Sequence, residues 1–194
     1  MPDKTRWVSQ WRNNHNQFGW VAIILHWVSA VLVVGLLALG VWMVTLGYYS
    51  QWYNIAPALH KSIGVVFAIL LSLRLVWRCL NQQPQGQGTK LEKLAAYYSQ
   101  WLVYLFLFSI VISGYLIVTV EGVGVSVFNT FTIPALDSSI DQQADLAGWW
   151  HRWLSYILGG LLFIHIAAAL KHQFFDRDGS IGRMLGQYLP PRKL

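Results

Sequence analysis

The sequence predicts an all-α membrane protein, a four-transmembrane-helix bundle forming one domain, and three observations carry that prediction. Of 194 residues, 55% are hydrophobic and only 11% charged, well away from an ordinary globular composition. The apolar residues fall in four blocks, at about 21 to 46, 58 to 80, 95 to 119 and 148 to 172. Each block is long enough to cross a roughly 30 Å hydrocarbon layer at 1.5 Å per residue. The polar residues gather between the blocks, leaving no separate soluble domain. The expected division is a tail over 1–20, a transmembrane domain over 21–172 and a C-terminal segment over 173–194.

Residues 1–20 are polar, with Asn13, Asn14, Asn16 and Gln17, and read as a tail with some order. The first block is too long for a signal-peptide core and lacks a small-residue cleavage pattern, so it reads as a retained helix. It opens at Trp20 and is followed by Tyr48, Tyr49, Trp52 and Tyr53, an aromatic belt suited to a membrane interface. Pro57 fits the first turn of the second helix. The NQQPQGQGT stretch from Asn81 to Thr89 is a polar Pro/Gly linker. After the third block, VEGVGVSVFNTFTIP reads as a partly ordered cap, and the fourth block then returns the chain through the membrane.

The net charge of +6 informs topology rather than nucleic-acid binding, because the charges lie beside apolar spans. Twelve of 14 basic residues sit in the N-terminal tail (Lys4, Arg6, Arg12), around the middle loop (Arg74, Arg78, Lys90, Lys93) or near the C-terminus (Lys171, Arg177, Arg183, Arg192, Lys193). The positive-inside rule therefore puts both termini and the middle loop on the cytoplasmic side. The loop from Glu121 to Ala147 has four acids (Glu121, Asp137, Asp141, Asp145) and no Lys or Arg, as expected opposite. The single cysteine, Cys79, excludes an intrachain disulfide and reads as a small buried residue near a helix end. Lys171, Arg177 and Arg183 read as phospholipid contacts.

Histidines within the spans set the chemistry. His151 and His165 are 14 residues apart in the fourth block, within about 40° of four full turns and roughly 21 Å along one face. With the fourth span entering from outside, His151 is shallow on the outer side and His165 deeper. Depth pairs His60 with His151 and His26 with His165. Ionisable side chains inside a bilayer are costly and face partners in the bundle. Two imidazoles at each of two levels suit bis-histidine haem ligation, whereas zinc would need four N or S ligands at one point. One such histidine is equally a hydrogen-bonded core residue; four at two matched depths are not. Arg74, 14 residues after His60, falls at the inner level, where its guanidinium suits a haem propionate. Gly40, 14 residues after His26, and Gly64, one turn after His60, leave room for a macrocycle.

The motifs LHW (Leu25–Trp27), LHKSIG (Leu59–Gly64), RLVWR (Arg74–Arg78), WH (Trp150, His151) and HIAAALKHQFF (His165–Phe175) resemble the bacterial cytochrome b561 family. The resemblance runs from about Phe18 to Arg183. It implies a bacterial inner-membrane protein whose His26, His60, His151 and His165 hold two haems b. It departs from some members at Gln100, where they carry a histidine early in the third span.

Lys61 and Arg152 each directly follow an outer-level histidine; they either neutralise propionates or draw in a small anionic donor. Resemblance to superoxide oxidases implies superoxide as that donor, or another small periplasmic reductant, and ubiquinone as acceptor. His172, about two turns after His165, bonds a propionate or carbonyl, or binds the quinone and carries its proton. The resemblance implies the latter. Two other readings stand beside this one: an electron-transfer subunit for a separate dehydrogenase or hydrogenase, and a metal-ion carrier with a histidine relay.

Overall fold

The computed structural model describes residues 9–86, 88–120, 122–136 and 142–187. Its four long helices are α1 (Trp20–Met43), α2 (Ile55–Leu80), α3 (Lys90–Val118) and α4 (Gln143–Phe174); the strands β1 (Val125–Val127) and β2 (Phe131–Ile133) precede α4, and a short α5 (Ser180–Met184) follows it. Each long helix is apolar enough to cross a membrane, so the chain is a multi-pass membrane protein. The helices start earlier than expected for the last three blocks because residues outside the apolar runs complete their first turns, Lys90, Glu92 and Lys93 at α3 and Gln143 and Asp145 at α4. At α3, Thr89 and Glu92 form a capping box: the Thr89 amide donates to Glu92 Oε2 at 2.8 Å and the Glu92 amide to Thr89 Oγ1 at 3.3 Å. Pro57 sits in the first turn of α2, as expected.

The chain forms two compact units, one comprising residues up to Ser29, Leu71–Trp101 and the chain from Leu161, the other Ala30–Leu70 and Leu102–Gly160. In the first, residues from 9 onward are a folded strap. The Trp20 amide donates to Gln10 O at 3.1 Å, the Gln85 amide to His15 O at 2.9 Å, and Asn13 Nδ2 to Gln82 O at 3.0 Å. α5 closes on the same region: Trp27 Nε1 donates to Met184 O at 2.7 Å. Arg183 donates to Gln85 O at 3.3 Å and Asn16 O at 3.1 Å, with its guanidinium 5.7 Å from the Phe18 ring centroid. Arg183 is only 8% exposed, which corrects the expectation that it meets phospholipid. Its partners are backbone carbonyls of distant segments, and burial lowers its pKa from the ordinary value while Asp178 opposes the shift. Cys79 is likewise exposed, not buried, since the last turn of α2 leaves it uncovered.

In the second unit the expected cap is a short antiparallel hairpin. Val125 pairs with Ile133 and Val127 with Phe131, and Val125 and Val127 are buried while Ser126 is exposed, the period-two pattern of a half-buried strand. Phe128 and Asn129 both have positive φ, 46° and 55°, the backbone of a tight hairpin turn. The Phe128 amide donates to Ser62 Oγ at 3.0 Å, docking the turn two residues after His60. Buried Gln143 donates from Nε2 to Leu116 O at 2.9 Å, tying the start of α4 to the end of α3. Tyr48, Tyr49, Trp52 and Tyr53 are exposed and make edge contacts among themselves and with Trp42. Of the charged residues used for topology, Lys4, Arg6, Glu121, Asp137, Asp141, Arg192 and Lys193 lie outside the described residues.

Candidate functional site

The second unit brings His60 of α2 and His151 of α4 together, with ring centroids 6.2 Å apart and planes at 77°. A metal held between two imidazole nitrogens at about 2 Å each puts the ring centres about 6 Å apart. The spacing therefore fits one iron between them. Around His151 the donors are ordered. Its Nδ1–H points to Ile110 O at 2.9 Å and lies 3.2 Å from Ser113 Oγ, which itself donates to Ile110 O at 3.0 Å. A carbonyl only accepts, so Nδ1 carries the proton and Nε2 keeps its lone pair, the state an axial ligand needs. Buried His60 Nδ1 has no hydrogen-bond partner among the described residues; none of them fixes its tautomer, and either nitrogen can present a lone pair.

Two glycines hold these rings. A Cβ on Gly40 of α1 would stand 3.3 Å from His60 Cε1, and one on Gly114 of α3 would stand 3.0 Å from His151 Cε1. Gly40 thus bears on His60 as well as on the space beside it. Gly114, Ser113 and Ile110 were not legible in the sequence, and they give α3 a part that its missing histidine does not suggest. A Cβ on Gly64 would meet nothing within 4 Å. Lys61 is half-buried and Arg152 exposed; neither makes an ion pair among the described residues.

In the first unit, His26, Arg74 and His165 lie within electrostatic reach of one another. Arg74 Nη2 donates to His26 Nδ1 at 3.0 Å. Arg74 thus holds the histidine itself in this structure, where the sequence suggested a propionate. A guanidinium only donates, so His26 Nδ1 accepts and the neutral ring's proton lies on Nε2. Ligation through Nε2 requires Arg74 to exchange that bond for another acceptor, and a carboxylate is the stronger one. The His165 ring is exposed and makes no hydrogen bond among the described residues. His26, once Arg74 releases it, and His165 would each offer a neutral imidazole nitrogen to a metal.

His172 has partners the sequence reading did not assign. After Phe174 the backbone turns at Arg177, with φ 51°, and the Asp178 amide donates to His172 O at 3.1 Å. The reversal brings two carboxylates to the ring: His172 Nδ1 is 2.7 Å from Asp176 Oδ2 and 3.6 Å from Asp178 Oδ2. Lys171 Nζ bridges Asp176 Oδ2 at 2.7 Å and Glu92 Oε1 at 3.2 Å. Asp176 titrates below the usual carboxylate range, chiefly because Lys171 donates to it. Glu92, His172 and Asp176 have the spacing of a cation site, with the Lys171 ammonium already between the two carboxylates. The signal for the His172–Asp176 contact was their i,i+4 spacing at a helix end.

Histidines paired on long apolar helices, with glycines against the rings, define a haem-binding membrane protein. Residues 17–187 match the family described as Prokaryotic cytochrome b561, and the chain belongs to that family. It is 43% identical over 177 residues, 90% of this chain and 94% of the relative, to Cytochrome b561 homolog 2 of Escherichia coli (strain K12). Membership brings haem b and membrane electron transfer.

Proposed function

We propose that this protein holds two haems b and uses them to oxidise superoxide at the periplasmic side of a bacterial inner membrane and to reduce ubiquinone. The observation that carries the reading is the His60–His151 pair, spaced for one iron at 6.2 Å between ring centroids, together with two further histidines, His26 on α1 and His165 on α4. Both termini and the middle loop lie in the cytoplasm on this reading, as the distribution of Lys and Arg favours.

Bound haem supplies reversible one-electron chemistry at iron. The protein's residues do the rest. His60 and His151 hold the periplasmic group, and Ile110 O orients His151. His26 and His165 hold the cytoplasmic group, and Arg74 meets a propionate after leaving His26 Nδ1. Gly40 and Gly64 leave space beside the histidines. Lys61 and Arg152 raise the local positive potential and draw in an anion. His172 binds a quinone oxygen and delivers its proton. Two superoxide anions become two molecules of oxygen, and the two electrons with two protons convert ubiquinone to ubiquinol.

A second reading, an electron-transfer subunit docked to a dehydrogenase or hydrogenase, is favoured by the exposed Trp149, Trp150 and Trp153 around exposed Arg152, since aromatic and Arg clusters suit protein contacts. Stopped-flow mixing of the purified oxidised protein with superoxide, followed by a soluble ubiquinone analogue, separates the two. Haem reduction by superoxide and reoxidation by the quinone are expected. A protein inert to superoxide that copurifies with a catalytic partner would establish the second reading.

A further inference from the structure

We infer that Asp176, seconded by Asp178, is a positioning residue for quinone chemistry: it fixes the tautomer and ring orientation of His172 and so leaves Nε2 as the nitrogen that passes a proton to the quinone oxygen. The inference rests on the quinone role proposed for His172 and adds to it what makes that histidine competent. The 2.7 Å contact between His172 Nδ1 and Asp176 Oδ2 is a short, charge-assisted hydrogen bond. A carboxylate has only acceptor capacity to offer, so Nδ1 must carry the proton. The same chemistry makes a buried carboxylate orient a catalytic imidazole in hydrolases.

The surroundings hold the pair in place. The αL turn at Arg177 and the bond from the Asp178 amide to His172 O at 3.1 Å set the second carboxylate 3.6 Å from the ring. Lys171 binds the same Asp176 oxygen and joins it to Glu92 in the first turn of α3. Among the described residues, Glu92, Lys171, Asp176 and Asp178 are thus the charged groups gathered at His172, three acids against one base. A site serving only to tie α3 to α4 would need Lys171 and the acids but not the imidazole.

In the transfer itself the doubly protonated ring gives up its Nε2 proton; the N–H bond breaks, an O–H bond forms on the quinone, and the Nδ1 proton stays on His172, donated to Asp176 Oδ2. Water on that side of the membrane reprotonates Nε2. Two such transfers match the two electrons that the reduced protein delivers, giving the quinol.

The test is reoxidation of the pre-reduced full-length protein in nanodiscs by decylubiquinone, in H2O and D2O, with haem content measured for every variant. Asp176→Asn is expected to lower kcat by about 10- to 100-fold, as loss of an orienting partner typically does. KM should stay within about twofold and the solvent isotope effect should rise, as proton transfer becomes limiting. Asp176→Glu should recover most of the rate, and Lys171→Gln, which leaves the histidine–carboxylate bond, should stay within about threefold of wild type. If Asp176→Asn folds poorly, Asp178→Asn carries the same prediction with a smaller loss. Wild-type kcat and isotope effect in Asp176→Asn would overturn the inference and leave the quinone reading standing. Equal losses in Asp176→Asn and Lys171→Gln, with loss of haem, would overturn it by making the cluster a structural tie. A wild-type protein that decylubiquinone cannot reoxidise would overturn the quinone reading and this inference together.

Discussion

Replacing Gly114 by alanine tests the histidine pair of the second unit through a residue that touches no substrate. The new methyl would stand 3.0 Å from His151 Cε1 and 3.2 Å from Nδ1, where ordinary contact begins near 3.4 Å. The ring cannot move away freely, because the 2.9 Å bond to Ile110 O holds it. Overpacking of this kind costs about 1–3 kcal/mol, partly offset by about 1 kcal/mol from exchanging a helical glycine for alanine. The fold should survive, but ligation needs the original ring position, so haem affinity at this level should fall by about 1–2 kcal/mol, or 5- to 30-fold. Haemochrome quantification and low-temperature EPR of the purified variant measure this, since the EPR signal of a bis-histidine ferric haem depends on its ligand geometry. Substoichiometric haem with one shifted EPR signal is expected. Gly35→Ala is the control, as its Cβ would meet nothing within 4 Å on an exposed helix face. Full haem content and an unaltered spectrum in Gly114→Ala would refute the packing account.

Three further outcomes follow from other parts of the molecule. Arg74→Gln should lower the midpoint potential of one haem only: a guanidinium that exchanges His26 Nδ1 for a propionate would stay roughly 8 Å from that iron, worth about 2 kcal/mol at an effective dielectric of 20, and half-exposure reduces this to a shift of about 40–90 mV in a redox titration. Arg183→Ala should destabilise the cap of the first unit by about 2–4 kcal/mol, because Gln85 O and Asn16 O lose their donors; hydrogen exchange over residues 9–19 should rise, and unchanged protection there would contradict the role given to Arg183. Asp176 has a lowered pKa, so its contribution to stability is present above the range of a free carboxylate and lost as pH falls through the lowered value. Thermal melts of wild type and Asp176→Asn should therefore differ at neutral pH and converge in acid.

The four spans were legible because long apolar blocks have few other uses in a chain of this size, and the approach of His60 to His151 was legible from helical spacing together with the order of the spans. What escaped were contacts that depend on how helices face one another. Gly114 and Ser113 look like ordinary small residues of a membrane helix until the side of α3 that meets His151 is known. The hairpin escaped because Val125–Val127 and Phe131–Ile133 are too short to show a clear alternation, and its turn uses Phe128 and Asn129 in place of glycine. Arg183 looked like a lipid contact because its acceptors are carbonyls from segments over 90 residues away in sequence. Arg74 donates to His26 Nδ1 in the structure, a contact between two helices that spacing along α2 does not show. Gly64 shared the register of His60, but register does not show what a side chain would meet.

The most direct measurement is the haem content of the wild type and of four single variants, His26→Ala, His60→Ala, His151→Ala and His165→Ala, with EPR of each. Two haems b in the wild type are predicted, with His60→Ala and His151→Ala losing one and the same signal and His26→Ala and His165→Ala losing the other. A single haem in the wild type, or losses that group the histidines in any other way, would contradict the account.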